Sequence, residues 1–167
     1  KKLFIGELGL DGSVRAGAGA LNFARMALRH GFEELYIPQA NAKEAALISG
    51  VAVIPVTNLH DLIRHLEGNE IIDPETHSPP LVESNDYAID IGDIKGQEHA
   101  KRALTIAAAG GHNLLMSGPP GTGKTMLAQS LVSILPPPTL DEVIEITQIW
   151  SAANVLGDNP YIALRPF

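Results

Sequence analysis

Asn113-Leu114-Leu115-Met116-Ser117, then Gly118-Pro119-Pro120-Gly121-Thr122-Gly123-Lys124-Thr125, then Met126-Leu127-Ala128-Gln129-Ser130-Leu131-Val132-Ser133-Ile134-Leu135 follow one another without a break. The first block is a short apolar run that predicts a buried strand. The last has helical composition and spacing. The eight residues between them satisfy G-x-x-x-x-G-K-[ST] at every fixed place, in the strand–loop–helix setting that gives the pattern its meaning.

Each fixed residue has a physical reason. Glycine lets the backbone turn back on itself and approach an anion without a Cβ in the way. Such a loop aims successive N–H groups inward as a nest for a phosphate. The helix that begins near Lys124 adds the positive end of its dipole. Lys124 offers an ammonium to the outer phosphates. Thr125 offers a hydroxyl oxygen to Mg²⁺, a hard ion that prefers oxygen. Pro119 and Pro120 stiffen the loop and lower the entropy lost when it is ordered. Gly118 to Thr125 are therefore the candidate polyphosphate site, with Thr125 as the metal contact.

The same reading extends to both sides. Gln97 to Ala109 predicts a helix whose apolar stripe is Ala100, Ala103, Leu104, Ala107 and Ala108, ended by Gly110-Gly111. Downstream, Pro136-Pro137-Pro138 stops the loop's helix. Thr139 and Glu142 have capping-box spacing for a further helix to about Trp150. Asp141, Glu142 and Glu145 lie at its start, where they serve the dipole and solvent rather than a metal.

Charge divides the chain. Residues 1–66 carry net +1, residues 67–98 net −8, and residues 99–167 none. The acidic middle also holds Gly68, Pro74, Pro79 and Pro80. It has no sustained periodicity with which to bury apolar area, so 68–87 predicts a linker between modules at 1–67 and 88–167.

The first module alternates. Leu3–Leu8, Glu34–Pro38 and Val51–Val56 predict strands; Ala18–Arg29, a segment capped by Asn41 with Glu44 in capping-box register, and Leu59–Leu66 capped by Asn58 predict helices. This order argues for parallel strands with crossover helices. His30, His60 and His65 read as solvated; the five-residue spacing of the last two is wrong for shared metal ligation.

Composition closes off several classes. There is no cysteine, hence no disulfide scaffold, thiolate metal site or cysteine nucleophile. No apolar run nears the roughly 20 residues of a membrane span. A formal charge of −7 argues against a chain-wide basic face for nucleic acid. The chain starts without Met and is expected to be a fragment of a larger soluble cytoplasmic protein.

Two resemblances follow. Gly6-Glu7-Leu8, Leu10 to Val14, Ile37-Pro38, Asn41 and Ile54-Pro55-Val56 resemble the C-terminal half of the Lon-type domain, of ribosomal S5 domain 2-like fold. That family's proteases use a Ser-Lys dyad. The lysine position falls on Leu21, and no lysine occurs between Lys2 and Lys43, so protease activity is not implied. Asp93 to Leu104, Ala107 to Met116, the phosphate loop and Ile134 to Pro137 resemble the magnesium-chelatase-like AAA+ ATPases, in the competence-associated branch where a Lon-type domain comes first. The expected fold is thus α/β: part of a Lon-type domain, then the start of a P-loop AAA+ domain.

The resemblance implies ATP and Mg²⁺ as cofactors, with Ile94, Gly96 and Gln97 bordering adenine. It also implies a hexameric homo-oligomeric ring and DNA remodelling, such as helicase or branch-migration work, with no membrane partner. Two alternatives stand beside it: an ATPase subunit assisting Mg²⁺ insertion into a porphyrin, and a nucleotide-binding scaffold without turnover. No apolar strand ending in Asp-Glu follows Thr125, and Arg165 is the only later arginine. No catalytic residue is therefore assigned, and slow turnover by this chain is expected.

Overall fold

Gly6 breaks the first apolar run. In the computed structural model, which describes residues 1–80, 87–157 and 159–167, the stretch from Leu3 to Leu8 is two strands, β1 (Lys2–Phe4) and β2 (Glu7–Leu8). A Cβ on Gly6 would stand 2.9 Å from Val14 Cγ1, so the bend there needs a residue without one. β2 then pairs antiparallel with β3 (Val14–Arg15). β1 pairs parallel with β4 (Glu34–Pro38), which pairs parallel with β5 (Ala52–Val56), in the order β1-β4-β5. The parallel alternation expected from the sequence is present, but only three strands share that sheet.

Helices α1 (Ala20–Arg29) and α2 (Gln39–Ala45) bury Leu21, Ala24, Ala42 and Ala45 against Leu35, Ile37 and Val53. Leu21, where the Lon-type lysine would lie, is fully buried in this cluster. Helix α3 (Leu59–Leu66) starts at Asn58, whose side chain accepts the Asp61 N–H at 2.9 Å, as the sequence predicts. Asn58→Ala is expected to cost about 1 kcal/mol, read as a lower urea midpoint at unchanged slope.

Two expectations for this half fail. Asn41 does not cap α2, which begins two residues earlier, after Pro38. Its amide instead clamps Gly17, accepting that N–H and donating to that carbonyl, both at 3.0 Å. Nor is His65 a solvated side chain. Its Nδ1 accepts the Ile72 N–H at 2.9 Å, so Nε2 carries the proton and donates to the Tyr36 hydroxyl at 3.2 Å. That hydroxyl also takes a 3.0 Å bond from Lys2 Nζ and donates to Glu34. Burial, then the Glu34 carboxylate, raises the Tyr36 pKa; the Tyr36 hydroxyl, then Lys2, lowers that of Glu34.

The acidic connector is not free of the first module. Ile72 packs beside Tyr36, Ile54 and Val56; Glu75 N–H donates to Val53 O at 2.7 Å, and His77 Nδ1 donates to Ala46 O at 2.6 Å. Residues 81–86, also within the expected linker, lie outside the described residues.

The chain forms two compact units. Described residues up to 80 join Leu140–Ile162 in one; those from 87 to 139 join Ala163–Phe167 in the other. Helix α6 (Leu140–Ala152), which the sequence reading puts with the phosphate-loop module, thus belongs to the first unit. It buries Val143 and Thr147, while Ile144 and Tyr161 pack on the α1–α2 core. In the second unit, a 3-10 turn at Ile91–Asp93 precedes α4 (Glu98–Gly110), and α5 (Lys124–Ile134) follows the loop. Ile94, Leu104 and Leu127 are its core.

The strand expected at Asn113–Ser117 does not form. The β ladders among the described residues are β1-β4-β5 and β2-β3, both in the first unit. A strand exists through its neighbour's hydrogen bonds, and an apolar run without a neighbour keeps only the propensity. Leu115 is accordingly 92% exposed. No described helix is long and apolar enough to cross a membrane.

Candidate functional site

The loop's shape is set by its glycines and by Lys124. Gly121 and Gly123 take φ of +78° and +81°, the left-handed region that side chains disfavour. Gly123 is also the residue from which α5 springs: its carbonyl accepts the Leu127 N–H at 2.9 Å. The helix thus begins at Lys124, with Lys124 and Thr125 in its first turn, as the motif requires.

Lys124 reaches back across the loop. Its ammonium donates to Gly118 O at 2.8 Å and to Pro119 O at 2.7 Å. Thr122 Oγ1 donates to the same Pro119 carbonyl at 3.0 Å. An ammonium has three protons. Two are committed to carbonyls that hold the side chain over the loop, and the third has only a 3.5 Å contact, to Thr122 Oγ1. The charge is thereby fixed in place, with its third donor held only by that long contact. Pre-placing it lowers the ordering cost of binding.

Gly118, Pro119, Thr122 and Lys124 lie at one face of the second unit. An open cavity of about 530 Å³ adjoins them, lined by Gln97 and His99 from the start of α4, by Met116, Gly118 and Pro119, and by Lys124. Gln97 is itself in the left-handed region, at φ 58°. Of the segment that the resemblance places beside adenine, Gln97 reaches this cavity. Ile94 is buried in the core instead, 4% exposed. Thr125 is exposed, and a Cβ at Gly118 would lie 3.5 Å from Thr122 Oγ1, in the loop's interior. The loop is glycine-rich, with the Lys124 ammonium held over it. Among the described residues no cluster of His, Asp or Glu forms a separate metal site.

The sequence does not single out His99, which lines the cavity. A polar residue on a helix carries no pattern that announces what it faces.

Residues 90–167 match the family described as "Magnesium chelatase, subunit ChlI". Over 163 residues the chain is 37% identical to YifB of Escherichia coli, covering 98% of this chain and 32% of that protein. Over 151 residues it is 43% identical to the competence protein ComM of Haemophilus influenzae, 89% of this chain and 30% of that one. The chain is a relative of ComM and YifB. It spans about a third of the length of these relatives. A shorter likeness, 39% identity over 54 residues, is to the archaeal Lon protease of Thermococcus kodakarensis, 32% of this chain and 8% of that one. The α/β architecture, with its parallel sheet, is consistent with these similarities.

Proposed function

We propose that this chain is the ATP-binding part of an AAA+ ATPase. Gly118 to Thr125 hold the phosphates, Lys124 meets the outer ones and Thr125 the Mg²⁺. The observation that supports this best is Lys124, held over the loop by two carbonyls with a third proton to give. By sequence, residues 1–67 are then part of a Lon-type domain, 68–87 the acidic connection and 88–167 the start of the ATPase domain, of which Leu140–Ile162 pack within the first compact unit. The test is calorimetry with Mg·ATP and with ATP in chelator. Binding strengthened by magnesium is expected, with little turnover, since no acidic strand follows Thr125 in this sequence. Thr125→Val should weaken Mg·ATP about tenfold and leave metal-free ATP nearly unaffected. Equal loss in both would remove the metal role.

In the longer protein, the reading is a cytoplasmic homo-oligomeric ring, a hexamer, that spends ATP on DNA remodelling, in line with the competence protein among the relatives. Porphyrin metallation is the second reading, in line with the magnesium chelatase match. A protein of the relatives' full length should bind DNA with an affinity that falls steeply as salt rises. Porphyrin binding without DNA binding would favour the second reading.

A further inference from the structure

We infer that Ser133, at the far end of α5 from the phosphate loop, is a positioning residue for the nucleoside part of the ligand. The inference rests on the nucleotide reading above. Helix α5 delivers Lys124 and Thr125 at its start, and its last turns hold the segment that leads into α4. Ser133 Oγ accepts the Ile91 N–H at 3.1 Å and donates to Ser130 O at 2.8 Å; Ser130 Oγ, fully buried, donates to Leu127 O at 2.8 Å.

This ladder of hydroxyls runs up one side of α5 from Leu127 to the 3-10 turn. That turn is stiff in its own right. Asp90 accepts the Gly92 N–H at 2.7 Å, and Asp93 Oδ2 takes the Asp90 N–H at 3.3 Å. Only three residues separate Asp93 from Gln97, which lines the cavity beside the loop, as do His99 and Leu127. One wall of the cavity is therefore carried on the segment that Ser133 holds, and another on the helix to which Ser133 belongs. A triphosphate needs the loop alone. A nucleoside attached to it must also fit the wall bearing Gln97 and His99, whose distance from the loop Ser133 fixes.

The test compares two ligands on the whole chain. Ser133→Ala should weaken Mg·ATP about fivefold, the weight of one lost neutral hydrogen bond, and leave Mg·tripolyphosphate within about twofold of the parent. Ser133→Thr, which keeps the hydroxyl, should restore ATP binding. Retained tripolyphosphate affinity doubles as the control that the unit is folded. Parallel losses for both ligands, or no loss for either, would overturn the positioning role while leaving the nucleotide reading intact. A parent chain that takes up neither ligand overturns the nucleotide reading, and this inference falls with it.

Discussion

Lys124→Ala is expected to lower Mg·ATP affinity about a hundredfold, or about 3 kcal/mol, with no change in thermal midpoint. Two features set the size of the effect. The substitution removes the one cation fixed over the loop, and hydrogen bonds to charged groups are worth about 1.5–3 kcal/mol each. It also releases the carbonyls of Gly118 and Pro119, which the ammonium bridges at 2.8 and 2.7 Å. The loop then pays an ordering cost on binding that the parent has already met. Folding should not suffer, because the loop is exposed to water and alanine is a better helix former than lysine at the start of α5.

Lys124→Arg is an informative companion. A planar guanidinium cannot serve both carbonyls and a phosphate as a compact ammonium does, so arginine should recover only a small part of the loss. Equal nucleotide affinity in the parent and in Lys124→Ala, measured by calorimetry, would refute the role assigned to the loop.

The shape of the Gly118–Thr125 loop is legible because its information is local. Glycine where the backbone turns left, a lysine opening the helix and an asparagine before α3 each act within a few residues. Elements whose partners are distant in sequence are not. The run at Asn113–Ser117 is apolar at its centre but pairs with no strand among the described residues. The start of helix α6 is legible and its end lies two residues past the expected Trp150, but nothing in its apolar face says that it packs with α1 and α2. The clearest case is the pair Asn41 and Glu44, whose spacing predicts a reciprocal cap for one helix. In the structure each member serves another segment: Asn41 clamps Gly17, and Glu44 turns to α1. Helix α2 instead follows Pro38, at φ −54°, with no side-chain cap there.

Glu44→Ala should therefore be among the most damaging substitutions in the first unit, at about 2–4 kcal/mol. Helix α1 starts after Gly19, which has no side chain to cap it. Glu44, only 9% exposed, supplies the missing acceptor from α2: its Oε1 takes the Leu21 N–H at 2.9 Å and a short bond from the Ser151 hydroxyl. Ser151 in turn accepts the Gly19 N–H at 3.0 Å. Three helices, α1, α2 and α6, thus meet at one buried carboxylate seated on a positive helix end. Alanine leaves a buried N–H and a buried hydroxyl without that acceptor, and a hole besides. Glu44→Gln keeps an oxygen in the same place and loses only the charge, so it should cost about 1 kcal/mol. Ser151→Ala should cost about 1–2 kcal/mol by orphaning the Gly19 amide. Because the two residues share one network, Glu44→Ala with Ser151→Ala should cost less than the two separate losses combined. Trp150, the single tryptophan, sits on α6 beside Ser151 and makes urea unfolding of this unit readable by fluorescence. A Glu44→Gln chain as unstable as Glu44→Ala would mean that the charge, not the shared oxygen, holds the three helices together.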